Sequence, residues 1–428
     1  MRQIAIASAL FVLAVLPAKA ADPPIEPPPS DAGALSLADE TPAAKPTSQS
    51  WRLFGEGALA HSWLRSPSGS GNEGRATIDF RYDSIVAPQL RAVFSDRLDL
   101  IHRGGDLQPE EENVNTLREA YLSWHATPDL IGDAGRINLR YGAAFGYNPT
   151  DYFKADALRV IVSIDPASLR ENRQGTVVLQ GQGVWSDTSV SAAFSPKLAD
   201  APSDATFSMN FGATNPSNRW LVAASHKFAA EINPQLVLHG GEHTPTQAGL
   251  NLSGLVNRAT VAYVEYSAGR TGSLAAQSQG LRDSDRLQQR GAAGFTYTTA
   301  FNLSLTAEFE YNSAAPTPSE WRALSSAAPL DALRLLSFAQ VQQDLPVRQA
   351  LFVHGAWRDM GVRNLDVAAF ARLATESPRG SELWIEARYR WSKTELAVQW
   401  QQYTGSTASP FALVPQDRRA EVLFRVFL

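Results

Sequence analysis

Guanidinium and carboxylate groups recur at alternate positions between Arg75 and Asp99. Arg75, Asp79, Arg81 and Asp83 precede a break at Ala87-Pro88-Gln89, and Arg91, Arg97 and Asp99 follow it. Arginine stays charged at any physiological pH, and its planar fork matches a carboxylate. A face built this way either binds and steers charged solutes or closes on itself as ion pairs. Arg136 and Arg140 extend the set, and Glu308, Glu310, Glu382, Glu386 and Arg388 add charge far along the chain. If these segments face each other, a basic wall opposite an acidic one sets up a transverse field that orients polar solutes. Catalytic chemistry has less support. The seven histidines (His61, His102, His125, His226, His239, His243 and His354) fit no zinc-ligand pattern, and His239 and His243 read as strand or rim residues. Ser68-Gly69-Ser70-Gly71 lacks the nucleophile-elbow pattern, and there is no cysteine. No enzyme, metal site or cofactor is expected.

The elements that must position these charges are strands. Ala76, Ile78, Phe80 and Tyr82 alternate with the first charged set; Leu90, Ala92, Phe94, Leu98 and Leu100 alternate with the second. A period of two, twice, around a tight break is a β-hairpin. Leu303, Leu305, Ala307, Phe309 and Tyr311 repeat the pattern against Ser304, Thr306, Glu308 and Glu310, and it recurs to the C-terminal residues Val422, Phe424, Val426 and Leu428. No helical layer is available to cover so many apolar faces, so the reading is all-β. The fold expected is a transmembrane antiparallel up-and-down β-barrel with a polar lumen. About twenty candidate strands can be marked, among them 204–213 and 334–344; an even number between 16 and 20 is expected, with 18 favoured. Ala87-Pro88, Asn233-Pro234, Phe301-Asn302 and Ser392-Lys393 read as periplasmic turns. Segments near 102–114, 143–173, 269–288, 313–333 and 405–416 read as outer loops, although short and long breaks fail to alternate between about 213 and 258 and again near 345–365. Thr317-Pro318-Ser319-Glu320 forms a capping box for a helix to about Ala327, and Asp165-Pro166 starts another ending near Asn172.

Outside the barrel, 51–428, the chain is different material. Residues 1–20 read as a signal peptide, with Arg2, an apolar run from Ile4 to Leu16, and Ala18-Lys19-Ala20 as the cleavage region. Residues 21–50, with seven prolines and no periodicity, read as a disordered periplasmic tail that could contact a periplasmic partner. Of 38 basic residues, loss of Arg2 and Lys19 leaves 36 against 43 acidic ones, a net charge near −7 that argues against nucleic acid.

The segment 143–173 departs most from strand pattern. Gly142 and Gly146 bracket its start, and Tyr147-Asn148-Pro149-Thr150-Asp151 has turn chemistry. Val160, Ile161, Val162 and Ile164 would be costly to leave wet, so the loop should fold back on something. One reading tucks it into the lumen as a constriction near the arginines, with Asn148, Asp151, Asp165, Arg170, Glu171 and Arg173 as its candidate residues; the other makes it an external lid. Asp133–Gly142, the run Gly146-Tyr147-Asn148-Pro149-Thr150-Asp151-Tyr152-Phe153, and Asp165-Pro166 with Leu169-Arg170-Glu171-Asn172-Arg173 resemble a poorly characterised group of porin-like Gram-negative outer-membrane β-barrel proteins. The last strand likewise resembles the signature read by the barrel-insertion machinery, with Phe427 penultimate. The resemblance implies a Gram-negative outer-membrane location, contact with lipid and lipopolysaccharide, and transfer of no substrate or catalytic residue. The function expected is passage of small polar or anionic solutes. An outer-membrane component of an export or envelope-assembly system is the alternative, and a barrel hydrolase the second.

Overall fold

Strands that are apolar on one face and charged on the other can bury every backbone group and present both faces usefully only by closing into a barrel. The computed structural model describes residues 50–65, 68–107, 113–228, 232–281 and 286–428; the signal-peptide and proline-rich segments, apart from Ser50, lie outside them. The strands are β1 (Trp51–Arg65), β2 (Ser68–Ala87), β3 (Leu90–Gly105), β4 (Asn113–Thr127), β5 (Leu130–Ile137), β6 (Thr176–Val184), β7 (Thr188–Ser195), β8 (Arg219–His226) and β9 (Ile232–Gly241). They continue as β10 (Thr244–Asn257), β11 (Thr260–Thr271), β12 (Arg286–Thr298), β13 (Leu303–Asn312), β14 (Gln349–Trp357), β15 (Leu365–Ala374), β16 (Gly380–Arg390), β17 (Thr394–Gly405) and β18 (Gln416–Phe427). Each is antiparallel to its sequence neighbours, and β18 pairs with β1 from Phe54↔Phe427 to Leu64↔Gln416, which closes an 18-stranded sheet.

Directly opposed residues share a face, so register separates wall from lumen. Leu59, Ile78, Leu100, Leu179, Leu236, Phe309 and Val422 are exposed outward, a belt that suits lipid and not water. No described helix is long and apolar enough to cross a membrane. Tight turns at 87–90, 127–130, 257–260 and 390–394 gather at one end, and long loops at 137–176, 195–219, 271–286, 312–349 and 405–416 gather at the other.

Two expected strands do not form, which brings twenty to eighteen. Residues 334–344 lie largely in a helix because Ala332, Leu335 and Ala339, the buried set, follow a helical and not a two-residue spacing. Residues 204–213 are loop and a short helix; Asn210 is left-handed (φ 46°) and its side chain accepts from Ser203 N, which bends the chain away from a strand. Asn233-Pro234 is not a turn: both residues pair within β9, opposite Ser253 and Leu252. The short and long breaks failed to alternate there because the outer connection between β9 and β10 is itself a tight turn, with His243 at φ 60°.

The expected helices are present as α1 (Pro166–Glu171) and, farther on, α4 (Pro318–Ala327), whose capping box joins Thr317 and Glu320. With α2 (Phe211–Thr214) and α3 (Leu274–Ser278) between them, α5 (Pro329–Val341) and α6 (Pro410–Leu413) complete the set. α4 and α5 pack at the long-loop end, where Trp321 is buried against Leu335 and donates from Nε1 to Pro346 O at 3.0 Å. Burying one such ring stabilises the cap by roughly 1.5–3 kcal/mol.

Candidate functional site

The inner face of β1–β4 and β18 carries a lattice of ion pairs. Arg75 reaches Glu56 at 2.7 Å, Glu421 at 3.2 Å and Asp99 at 3.7 Å. Arg97 holds Asp99 at 3.0 Å, and Arg118 holds Asp79 at 2.7 Å. All of these are buried, and a buried charge is tolerable only when it is paired. The lattice continues through Arg419 with Glu73 and Glu421, and Arg425 with Glu56. Farther round, Arg388 sits between Glu386 at 2.8 Å and Glu395 at 2.7 Å. A basic wall facing an acidic one does not form. Opposite charges alternate between adjacent strands, because neighbours a few ångströms apart neutralise each other better than groups across a barrel.

Water contact is unevenly shared. Arg81 and Arg91, near the short-turn end, have 32% and 34% of their side chains exposed, against 18% for Asp83, which both contact. Arg52 is 45% exposed and its neighbour Asp79 1%; Arg425 is 23% exposed and Glu56 3%. In these pairs the guanidinium meets solvent and the carboxylate lies beneath it.

The segment between β5 and β6 runs inside the barrel and is fastened to the far wall by carboxylates. Glu308 accepts from Phe145 N (2.9 Å), Gly146 N (3.3 Å), Tyr147 N (2.9 Å) and Tyr263 Oη (2.8 Å). Glu265 accepts from Ala144 N (2.5 Å), Asn148 Nδ2 (3.3 Å) and Thr150 Oγ1 (3.2 Å). Arg372 binds Glu310 at 2.9 Å, Glu382 at 3.2 Å and Gly146 O at 2.8 Å. Two glycines allow this approach. A Cβ on Gly142, which has φ +90°, would stand 2.2 Å from Glu265 Oε1, and one on Gly146 would stand 2.7 Å from both Glu310 and Phe352. Elsewhere Ile137, Leu139 and Phe153 pack on Val178, Leu221 and Val237 of the inner wall.

Of the loop residues singled out by sequence, Asn148 bonds Ala144 O and Glu265, Asp151 pairs with buried Arg173 at 2.8 Å, and Arg170 donates to Ala144 O and Asn148 Oδ1. Asp165 caps α1 by accepting from Ser168 N at 3.0 Å. Burial raises the Asp165 pKa against that bond. Only Glu171 projects into open space, 57% exposed and 3.4 Å from Arg52. Lys154, half-buried over the Tyr147 ring and donating to Asn148 O at 2.7 Å, is brought down to about 8 by desolvation, which Asp344 and Asp151 offset in part. Burial also pushes Tyr147 up; its hydroxyl donates to Asp344 at 2.5 Å. Asp344 is held below the usual carboxylate range: Arg290 and Lys154 outweigh its burial.

Several placements differ from the sequence reading. Arg136 pairs with Ala120 and Val177, on the face that exposes Leu122 and Leu179, so it points out of the barrel. The expectation failed because the end of β5 borders the inserted loop: there the inner position is the apolar Ile137 and Arg136 falls on the outer face, whereas Asp133 lower on the strand stays inward, accepting from Gln182. Arg140 lies past the end of β5, half-buried in the loop; burial and nearby Arg173 lower it to about 10. Glu308 and Glu310 are buried fasteners and line no water. His239 is stacked on Tyr152 at 4.8 Å on the inner face, whereas His243 is exposed at the turn, so the two point apart. Arg52, Arg118, Glu265, Arg372 and Arg425 were missed. Arg52, Glu265, Arg372 and Arg425 stand at inward positions of alternating strands, which was their available signal; Arg118 lies in a bulge beside Glu119, where alternation breaks.

No protein-family model and no curated protein matches the chain. Solved structures do. Acinetobacter baumannii OccAB1 superposes with a TM-score of 0.56 at 9% identity, over 88% of this chain and 96% of that one. Pseudomonas aeruginosa OccK5 (OpdH) gives 0.53 at 9% identity, over 88% and 97%. The outer membrane protein OpdK of Pseudomonas aeruginosa gives 0.52 at 7% identity, over 88% and 98%. At such identity the likeness is one of fold: the chain is a closed antiparallel β-barrel that superposes on these three.

Proposed function

We propose that the protein is an outer-membrane channel that passes small polar solutes and favours anionic ones. One observation carries the anionic preference: in the ion pairs Arg52–Asp79, Arg81–Asp83, Arg91–Asp83 and Arg425–Glu56 the guanidinium is the more exposed partner, Arg52–Glu171 being the exception. Counter-charge buried under such a layer weakens its field without cancelling it. The inserted loop narrows the lumen and places Glu171 opposite Arg52, so the passage has an acidic residue set against a basic rim. The fold likeness to OccK5 (OpdH) and OpdK supports a channel, and nothing in the charge lattice calls for catalysis. The barrel exterior faces lipid and lipopolysaccharide, and the barrel-insertion machinery would assemble it there.

The test is solute flux into proteoliposomes. Propionate should enter faster than propylammonium of similar size, and both faster than into protein-free vesicles. Equal rates for the two would remove the anionic preference. No flux of either would remove the channel.

A further inference from the structure

The inserted loop leaves β5 and returns to β6 at one place, its heel. Ile137↔Thr176 ends the strand pairing, and just beyond it Asn138 Nδ2 donates to Arg170 O at 3.0 Å. Gly175 N donates to Arg118 O at 2.7 Å, and a Cβ on Gly175 would stand 2.5 Å from the Ile137 carbonyl carbon, so backbone packs on backbone here. Three arginines belong to the heel: Arg140 on the outgoing leg, Arg170 and Arg173 on the returning one. Arg170 donates to Ala144 O and Asn148 Oδ1. The other two are short of acceptors.

Arg173 is 1% exposed. Its Nη1 meets Asp151 Oδ2 at 2.8 Å, but its Nε and Nη2 are buried with no hydrogen-bond partner. Arg140 Nε is buried without a partner as well, and among the described residues the Arg140 side chain makes no hydrogen bond and no ion pair. A buried N–H without an acceptor is costly and rare in folded proteins. The carboxylates around the heel do not meet this need. Glu119 pairs with Arg81 at 3.3 Å, Asp79 with Arg118 at 2.7 Å and Glu171 with Arg52 at 3.4 Å. Glu265, on the Arg170 side, accepts from Ala144 N, Asn148 and Thr150. Asp151 Oδ1 is itself buried with no donor, so that oxygen is not turned to the unmet nitrogens. Arg140 is left with Arg173 and Arg170 as like charges, against Glu119 and Asp151. Three cations stand against two acids, one of which already serves Arg81.

We infer that Arg140 and Arg173 bind a small monovalent inorganic anion, a halide such as chloride, which ties the two legs of the inserted loop together. Two like charges in one buried place repel, and an anion between them turns that repulsion into attraction on both sides. Charge and shape narrow the ligand. The cost of removing water rises steeply with charge, so a site this dry takes a singly charged ion before sulfate or phosphate. A sphere imposes no direction on its donors, which suits N–H groups arriving from two chain segments. The ion is a structural part of the loop and not a solute in transit, so the inference stands apart from the channel reading.

The test melts the purified full chain in detergent, at one ionic strength, in sodium chloride, sodium bromide or sodium gluconate. The wild type should unfold about 3 °C or more higher in either halide than in gluconate, with a saturating dependence on halide concentration. Arg140→Gln removes no hydrogen bond or ion pair and should assemble normally, with one unfolding temperature in all three salts. Crystals grown in bromide should show anomalous density between Arg140 and Arg173. A wild type indifferent to halide, a variant that responds as the wild type does, or bromide density only elsewhere would each overturn the site; water or a turned Asp151 would then meet the buried donors. If the barrel resists melting, amide exchange over 138–142 and 170–175 replaces the melt. Halide should slow it about threefold or more in the wild type and leave the variant unchanged. Equal slowing in both, or none in either, would overturn the site.

Discussion

Glu308 shows how far a residue's type can be read and where reading stops. Its alternation with Ala307 and Phe309 puts it on the inner face, where it is buried. Its partners are three backbone amides from a loop more than 160 positions earlier, and no local pattern names them. Glu308→Ala should leave those amides and Tyr263 without an acceptor and cost about 3–5 kcal/mol, seen as a lower unfolding temperature on heat-modifiability gels; a change of under about 1 kcal/mol would mean the fastening is weak. Lys154 offers a pH test. Its pKa falls from the ordinary 10.5 to about 8 in the folded loop, so the folded loop binds fewer protons than a released one. The burial cost is then present in full below about 8 and fades as pH rises toward about 10.5, so the loop is tighter in alkali. Amide exchange at 144–157, corrected for its intrinsic pH dependence, should slow relative to neutral pH in the wild type. In Lys154→Met that slowing should vanish; the same slowing in both would contradict this account.

Elements were more legible than partners. A two-residue period survives wherever one strand face meets lipid and the other meets charge, and the eighteen strands include both strands of the hairpin first read from Arg75 to Asp99. The pattern misled where that contrast is absent. At the end of β5 the inner position, Ile137, packs on protein and Arg136 takes the outer face, although alternation had assigned it inward. In α5 a helical apolar stripe imitated alternation over a short window. The capping residues of α1 and α4 were readable because their chemistry is local. Face assignment gives a further prediction. Leu305→Arg, on the lipid face of β13, should reduce assembled barrel by an amount reflecting about 2–4 kcal/mol, whereas Ser304→Arg, on the lumen side near a turn, should assemble nearly normally. Equal yields of heat-modifiable protein would mean that the faces are reversed.

For the whole molecule, closure of the sheet makes the lumen, and the inserted loop divides its charges into those that fasten and those that meet water. Arg75, Asp79, Arg97 and Asp99 belong to the first group; Arg52, Arg81 and Arg91 belong to the second. Apart from Arg52, which was missed, sequence placed both groups on one face but could not separate them, since exposure depends on strands that meet only after closure and on a loop from elsewhere. Selectivity should therefore follow the second group. The direct measurement is the reversal potential of single channels in planar bilayers across a salt gradient, wild type against the triple variant Arg52→Gln, Arg81→Gln and Arg91→Gln. Screening lengths of about 10 Å at 0.1 M and about 3 Å at 1 M set the comparison. The account predicts anion preference in the wild type, a clear move toward cations in the variant at low salt, and a much smaller move at 1 M. A well-assembled variant with unchanged selectivity at low salt, or a wild type that conducts nothing, would contradict it.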